Sequence, residues 1–158
     1  MEEEGIPVLT REHFQDIHHV GLSPWARTGC SAAVLDVESE LHLGARVNRQ
    51  GVIPYVCEVP PGGTFKAEKH LYEEIFYILS NRGATTVWND GGPKHTFEWG
   101  EGSVFSIPLN AWHEINNGQG DQPTRLYAVT DAPVVFNLYR IVNSSTTAHT
   151  CSPTASTG

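Results

Sequence analysis

His70-Leu71-Tyr72-Glu73-Glu74-Ile75-Phe76-Tyr77-Ile78-Leu79, followed further on by Gly102-Ser103-Val104-Phe105-Ser106-Ile107-Pro108-Leu109-Asn110-Ala111-Trp112-His113-Glu114-Ile115-Asn116-Asn117, decides how this chain is read. Both stretches are rich in β-branched and aromatic residues and are bounded by turn formers, which predicts strands. Side chains two apart on a strand share a face. Glu68, His70, Tyr72 and Glu74 therefore share one parity, continued by Phe76 and Ile78, while Ala111, His113, Ile115 and Asn117 share another. If both faces line one barrel interior, His70, Glu74 and His113 converge. Two imidazoles and a carboxylate with open positions suit a divalent cation: Fe(II) for oxygen chemistry, or Zn, Mn or Ni.

Outward from these segments the β pattern continues. Apolar, β-branched runs fall at 55–59, 84–89, 95–99, 125–131 and 134–141, besides 74–79, 103–108 and 111–116. Turn residues such as Pro60-Pro61-Gly62-Gly63 and Gly100-Glu101-Gly102 separate them. Asp90-Gly91 and Asn117-Gly118 are hairpin signals. Many short strands with regular turns predict a β-sandwich or barrel. Upstream, Thr10 to His19 reads as a short helix with Thr10 as N-cap, and 31–37 as a strand. Residues 38–53 read as a long turn or hairpin. From Asn143 the chain is small and polar, which predicts disorder. The expected organisation is an N-terminal extension over 1–50 that packs on the barrel, a barrel over 51–142, and a disordered tail over 143–158.

A chain of 158 residues can bury a core without disulfide staples. Its formal net charge of −8 argues against a nucleic-acid or anionic-membrane surface. Three cysteines without paired spacing build neither a disulfide framework nor a cysteine zinc site, so a reducing, cytoplasmic home is expected. The acidic start Met1-Glu2-Glu3-Glu4 has no export-leader character, and no run is long enough to span a bilayer.

With these residues in hand, the chain resembles the cupin superfamily, small double-stranded β-helix or jelly-roll barrels with the active site inside. The motif G-x5-P-x-G-x2-H-x3-N is matched by Gly102, Pro108, His113 and Asn117, with Asn110 in place of the middle glycine. The motif G-x5-H-x-H-x3/4-E-x6-G is matched by Gly62, His70 and Glu74, with Glu68 in place of the first histidine and Asn81 in place of the last glycine. Asn tolerates the left-handed backbone that glycine serves. The stretch is also similar to the N-terminal half of certain two-cupin proteins, a subgroup that commonly lacks the first histidine; only one cupin unit fits here. The resemblance implies His70, Glu74 and His113 as metal ligands, and by analogy a homodimer that covers sheet edges.

Glu68 can face in or out. Facing in, it is a fourth, carboxylate ligand, or one of two like-charged carboxylates that serve as general acid and base without metal. Glu68 or Tyr72 is the expected proton carrier, and Phe76 and Ile78 are the expected pocket lining. Asn117 belongs to the pocket or pins a turn. In isolation each histidine reads as structural, and the aromatic residues read as core; the joint motif and the cost of burying Glu74 unpaired favour a site. The leading expectation is a metal-assisted enzyme acting on a small molecule inside the barrel, an oxygenase or related activity on an aromatic or polyketide-like metabolite. The alternatives are a metal-free isomerase, cyclase or decarboxylase, and a module that only binds a small ligand.

Overall fold

Strict alternation of burial marks the strands that build the interior. Glu74, Phe76 and Ile78 point inward on one strand, and His113, Ile115 and Asn117 on another, with exposed or half-buried residues between them. The computed structural model describes residues 5–37 and 51–143. Most of the expected turn over 38–53, and the tail beyond 143, lie outside the described residues. The strands are β1 (Val8–Arg11), β2 (Ser23–Trp25), β3 (Cys30–Val37), β4 (Ile53–Val59), β5 (Thr64–Glu68), β6 (Glu74–Ile78), β7 (Arg82–Trp88), β8 (His95–Gly100), β9 (Val104–Ile107), β10 (Trp112–Asn117) and β11 (Thr124–Thr130), followed by helix α1 (Ala132–Asn143).

They form a larger sheet in the order β1-β3-β4-β11-β6-β9, with β2 also on β3, and a smaller one in the order β5-β10-β7-β8. From β4 onward the chain changes sheet at every connection except the β7–β8 hairpin, where Asp90-Gly91 turns as expected. That crossing pattern is a jelly roll. Phe65, Phe76, Ile78, Ile115 and Leu126 are fully buried between the sheets; each such side chain is worth about 1.5–3 kcal/mol of transfer free energy. A smaller cluster lies on Leu35, Val56 and Leu79, where Leu9, Phe14, Ile17 and Val20 of the N-terminal segment cover them.

The structure corrects four local expectations. Thr10 to His19 is not one helix: Thr10 lies in β1, which pairs in parallel with β3, and only Ile17–His19 makes a 3-10 turn. The open edge of β3 captures the segment, so long-range pairing overrides local propensity. Residues 134–141 are helix, not strand. Pro133 sits in the first turn, where its missing N–H costs nothing, and Val134, Val135, Leu138, Tyr139, Ile141 and Val142 follow the helical period. Asn117-Gly118 is not a hairpin, because β10 and β11 lie in different sheets. Glu68 to Glu74 is not one continuous strand: β5 ends at Glu68, β6 begins at Glu74, and His70 and Tyr72 sit in the connection.

Candidate metal centre

Three backbone features bring the cluster together. Strand pairing places His113 of β10 opposite Glu68 of β5. The β5–β6 connection turns the chain so that His70 meets Glu74. The turn before β10 is tied to that connection, since the Asn110 amide donates to the His70 carbonyl, 3.0 Å. Asn110 has φ 59 and Asn81 has φ 67, the left-handed values also taken by Gly62 and Gly102. Asparagine thus replaces glycine without changing either turn.

The result is a compact donor set. One potential ligand atom from each of Glu68, His70, Glu74 and His113 lies within 4.8 Å of the other three. Donors on opposite sides of one divalent ion stand about 4 Å apart, so the four reach a common point with small shifts. Glu74 is 3% exposed and His113 fully buried.

The second contacts orient the first. His70 Nδ1 donates to the Tyr72 carbonyl, 2.7 Å, because a carbonyl can only accept. That bond leaves Nε2 as the inward atom, 3.0 Å from Glu74 Oε2. A histidine whose outer N–H is held by a carbonyl is the usual arrangement of a metal-ligating imidazole. The Tyr72 ring stacks on His70 with centroids 3.8 Å apart and planes 4° from parallel, while His113 meets His70 edge-on at 5.1 Å. The fully buried hydroxyl of Tyr55 donates to Glu74 Oε1, 2.8 Å. Burial above all, then the Glu74 charge, pushes this phenol well above its usual range, so it remains a donor.

His113 supplies the test of fit. Neither of its ring nitrogens has a hydrogen-bond partner among the described residues. Its Nε2 lies 3.7 Å from Glu68 Oε1, beyond hydrogen-bond length. A buried nitrogen left in this state costs about 1–3 kcal/mol; a cation reached by Nε2 accounts for it. With the two carboxylates and the oriented Nε2 of His70, the residues fit a divalent metal.

Electrostatics around the cluster are balanced by a residue that sequence reading missed. Arg27 lies in the turn between β2 and β3 and forms an ion pair with Glu68. The Thr28 carbonyl accepts from the Lys66 amide, 2.9 Å, which seats that turn on β5. The Arg27 guanidinium also lies 4.6 Å over the Trp25 ring. Burial acts to raise the Glu68 carboxyl, but His113 and Arg27 outweigh it and hold it below the ordinary carboxylate value. Burial acts to lower His70, and Glu74 outweighs it, so His70 is raised.

A cavity of about 70 Å³ adjoins the cluster through Glu74. Arg27, Tyr55, Tyr72 and Thr130 supply its other polar groups, and Trp25, Val34 and Phe136 are among its apolar walls. Of the residues expected to line a pocket, Phe76 and Ile78 are instead fully buried core and do not line this cavity. Asn117 is a structural hub: its Nδ2 faces the carbonyls of Val59, Pro60 and Gln122 at 2.8–3.2 Å, and its Oδ1 accepts from the Gln119 amide and the Thr124 hydroxyl. Tyr72 lines the cavity, and Glu68 faces into the cluster. Glu73 and Glu114, of the opposite parity, are exposed and half-buried.

Two facing sheets with an inward two-histidine, two-carboxylate cluster define a small β-barrel of the jelly-roll type. Residues 55–130 match the family model for the cupin domain, and the chain belongs to the cupin superfamily. A 72-residue stretch is 36% identical to 5-aminosalicylate 1,2-dioxygenase of Comamonas sp., covering 46% of this chain and 17% of that protein. The chain thus spans about a sixth of that relative. Among solved structures, the cupin domain of Schizosaccharomyces pombe Cnp3 superposes with a TM-score of 0.57 at 21% identity, over 79% of this chain and 77% of that one. Lactobacillus farciminis oxalate decarboxylase, solved as a formate complex, gives 0.56 at 22% identity, over 72% of this chain and 31% of that one. At these identities the structural likeness concerns the fold. No helix among the described residues is long and apolar enough to cross a membrane.

Proposed function

We propose that this protein is a metal-assisted enzyme that acts on a small molecule at the barrel-interior cluster, with His70, Glu74 and His113 as the ligands and iron as the favoured metal. The observation that carries the reading is the buried, unpartnered Nε2 of His113 aimed at two carboxylates and the oriented Nε2 of His70. The reaction class proposed is oxygenation of an aromatic or polyketide-like metabolite, supported by the stretch shared with 5-aminosalicylate 1,2-dioxygenase. Bound iron would supply Lewis acidity and dioxygen activation at this cluster.

The chain's own groups do the rest. The Tyr72 carbonyl holds the His70 tautomer, and the Tyr55 hydroxyl fixes Glu74. Trp25, Val34 and Phe136 give the cavity beside them apolar walls. Glu68, held below its ordinary carboxylate value and facing the cluster, accepts a proton from substrate, and Tyr72 at the cavity wall is the second candidate carrier.

A second reading has one observation in its favour. Each carboxylate already has a protein partner, His70 and Tyr55 on Glu74 and Arg27 on Glu68. Such paired groups can run acid–base chemistry without metal, as an isomerase, cyclase or decarboxylase does. The deciding experiment is oxygen uptake by iron-loaded protein over a panel of aromatic and polyketide-like substrates. Substrate-dependent uptake lost in Glu74→Gln and on chelation is expected; turnover that survives chelation overturns the metal reading in favour of the second.

A further inference from the structure

Asp90 stands outside the donor set, in the β7–β8 turn that the Gly92 amide closes on the Asn89 carbonyl, 2.9 Å, with Gly91 at φ 69. From the sequence it is only a turn former. In the fold both of its carboxylate oxygens are engaged. Oδ2 pairs with the Lys69 ammonium, 2.6 Å, and Oδ1 accepts from the Trp112 indole N–H, 2.7 Å. Lys69 precedes His70 and Trp112 precedes His113, so one carboxylate holds the chain neighbours of both histidines of the cluster.

The two histidines are not supported alike. His113 sits in β10, opposite Val87 on one side and Glu68 on the other. His70 lies in the β5–β6 connection, outside any strand. A ligand carried on a connection keeps its place only through side contacts. The Asn110 amide on the His70 carbonyl is one of them, and the Lys69–Asp90 pair is another. β5, β10 and β7 lie side by side, with Lys69 just beyond β5, Trp112 at the start of β10 and Asp90 just beyond β7. The ion pair therefore crosses over Trp112, whose ring centroid is 6.0 Å from Lys69 Nζ. Trp88 stacks beside that ring with centroids 6.3 Å apart and planes 11° from parallel. The Asp90 side chain is 72% exposed, so its pair adds little to global stability; its effect is on where the connection stands.

We propose that Asp90 is a positioning residue of the metal centre: by tying Lys69 to Trp112 it sets the separation of His70 and His113, whose ring centroids are 5.1 Å apart. This rests on the metal-centre reading above and adds to it a support from outside the cupin motifs.

The test uses the full chain with Co(II), its binding and visible spectrum read by titration, and with Zn(II) by competition. Asp90→Ala should weaken Co(II) binding about fivefold, the scale of one exposed ion pair, and should alter the visible band, while the metal-free Tm changes little. Asp90→Asn keeps an acceptor for Trp112 and should fall between this variant and the parent. Lys69→Met separates placement from charge. Removing a cation tightens metal binding if only the general field matters, whereas loss of the tie weakens it. In an Asp90→Ala background the same change should no longer weaken binding. A Lys69→Met protein that binds Co(II) as tightly as the parent or more tightly overturns the positioning role alone. So does an Asp90→Ala protein with the parent's affinity and spectrum. A parent that binds neither Co(II) nor Zn(II) overturns this role and the metal-centre reading together.

Discussion

Nε2 of His113 and Oε1 of Glu68 face each other at 3.7 Å across the β5–β10 pair, too far for a hydrogen bond and with no other group between them among the described residues to satisfy the buried nitrogen.

Replacing this histidine should therefore have opposite effects on the empty and loaded protein. His113→Leu removes both unpartnered nitrogens while keeping similar volume. Metal-free protein should gain at most about 1 kcal/mol, a rise in Tm of at most about 2–4 °C for a chain of this size, reduced by the loss of the His113 support that holds Glu68 low. The stabilisation by added metal should be lost. Parallel melting curves with and without metal read both effects, and a metal-free variant less stable than the parent contradicts them.

In metal-free protein His70 and Glu68 bound a window of stability from the cluster. His70 has a folded value raised above 6.5, chiefly because Glu74 outweighs the opposing effect of burial. Its contribution is complete below the unfolded value and is lost as pH rises through the folded one. Glu68 has a folded value below 4.5, because His113 and Arg27 outweigh burial. Its contribution is present above the unfolded value and is lost as pH falls through the folded one. Tm should be highest between these limits, and Glu74→Gln should flatten the alkaline side alone. An alkaline decline unchanged in Glu74→Gln would refute the His70 assignment.

Arg27 should compete with the metal for Glu68. Arg27→Gln is expected to tighten divalent-metal binding about tenfold in the parent, equivalent to about 1.4 kcal/mol. In a Glu68→Gln background the same change should gain much less, since no freed carboxylate remains. This double-mutant cycle isolates the pair from the general loss of positive charge. Equal gains in both backgrounds would show that only bulk charge matters.

The left-handed turn at Asn110 ties the two halves of the cluster through its amide to the His70 carbonyl. Asn110→Val places a β-branched residue at φ 59 and should cost about 1–2 kcal/mol, whereas Asn110→Gly should be close to neutral. Urea midpoints at constant slope measure both. A valine as stable as the parent would mean that the turn is not left-handed in solution.

How much of this was readable from residues alone follows from distance along the chain. The fold and the four clustered side chains lie in motifs whose spacing is local, and parity carried Glu74 and His113 inward from two facing sheets. His70 joins them for a different reason than expected: a connection, not a strand, aims it. The same parity misled at Phe76 and Ile78, because inward on a barrel strand means core as readily as cavity. Arg27 was invisible because its partner lies 41 residues away and only the β2–β3 turn joins them; the Trp25-x-Arg27 pair is a weak signal by itself. Tyr55 was hidden in the same way, as one apolar residue of β4 until its hydroxyl meets Glu74. At α1 the period was present but β-branched content masked it.

The central claim is most directly met by metal content. Protein purified without a histidine tag, saturated in turn with Fe(II), Zn(II) and Mn(II) and then desalted, should retain close to one ion per chain for at least one of them. His113→Ala and Glu74→Gln should each reduce this at least tenfold while the strand-rich circular dichroism spectrum is unchanged. Retention of less than a tenth of an ion per chain for all three metals, or full retention in both variants, would contradict a metal centre built from His70, Glu74 and His113.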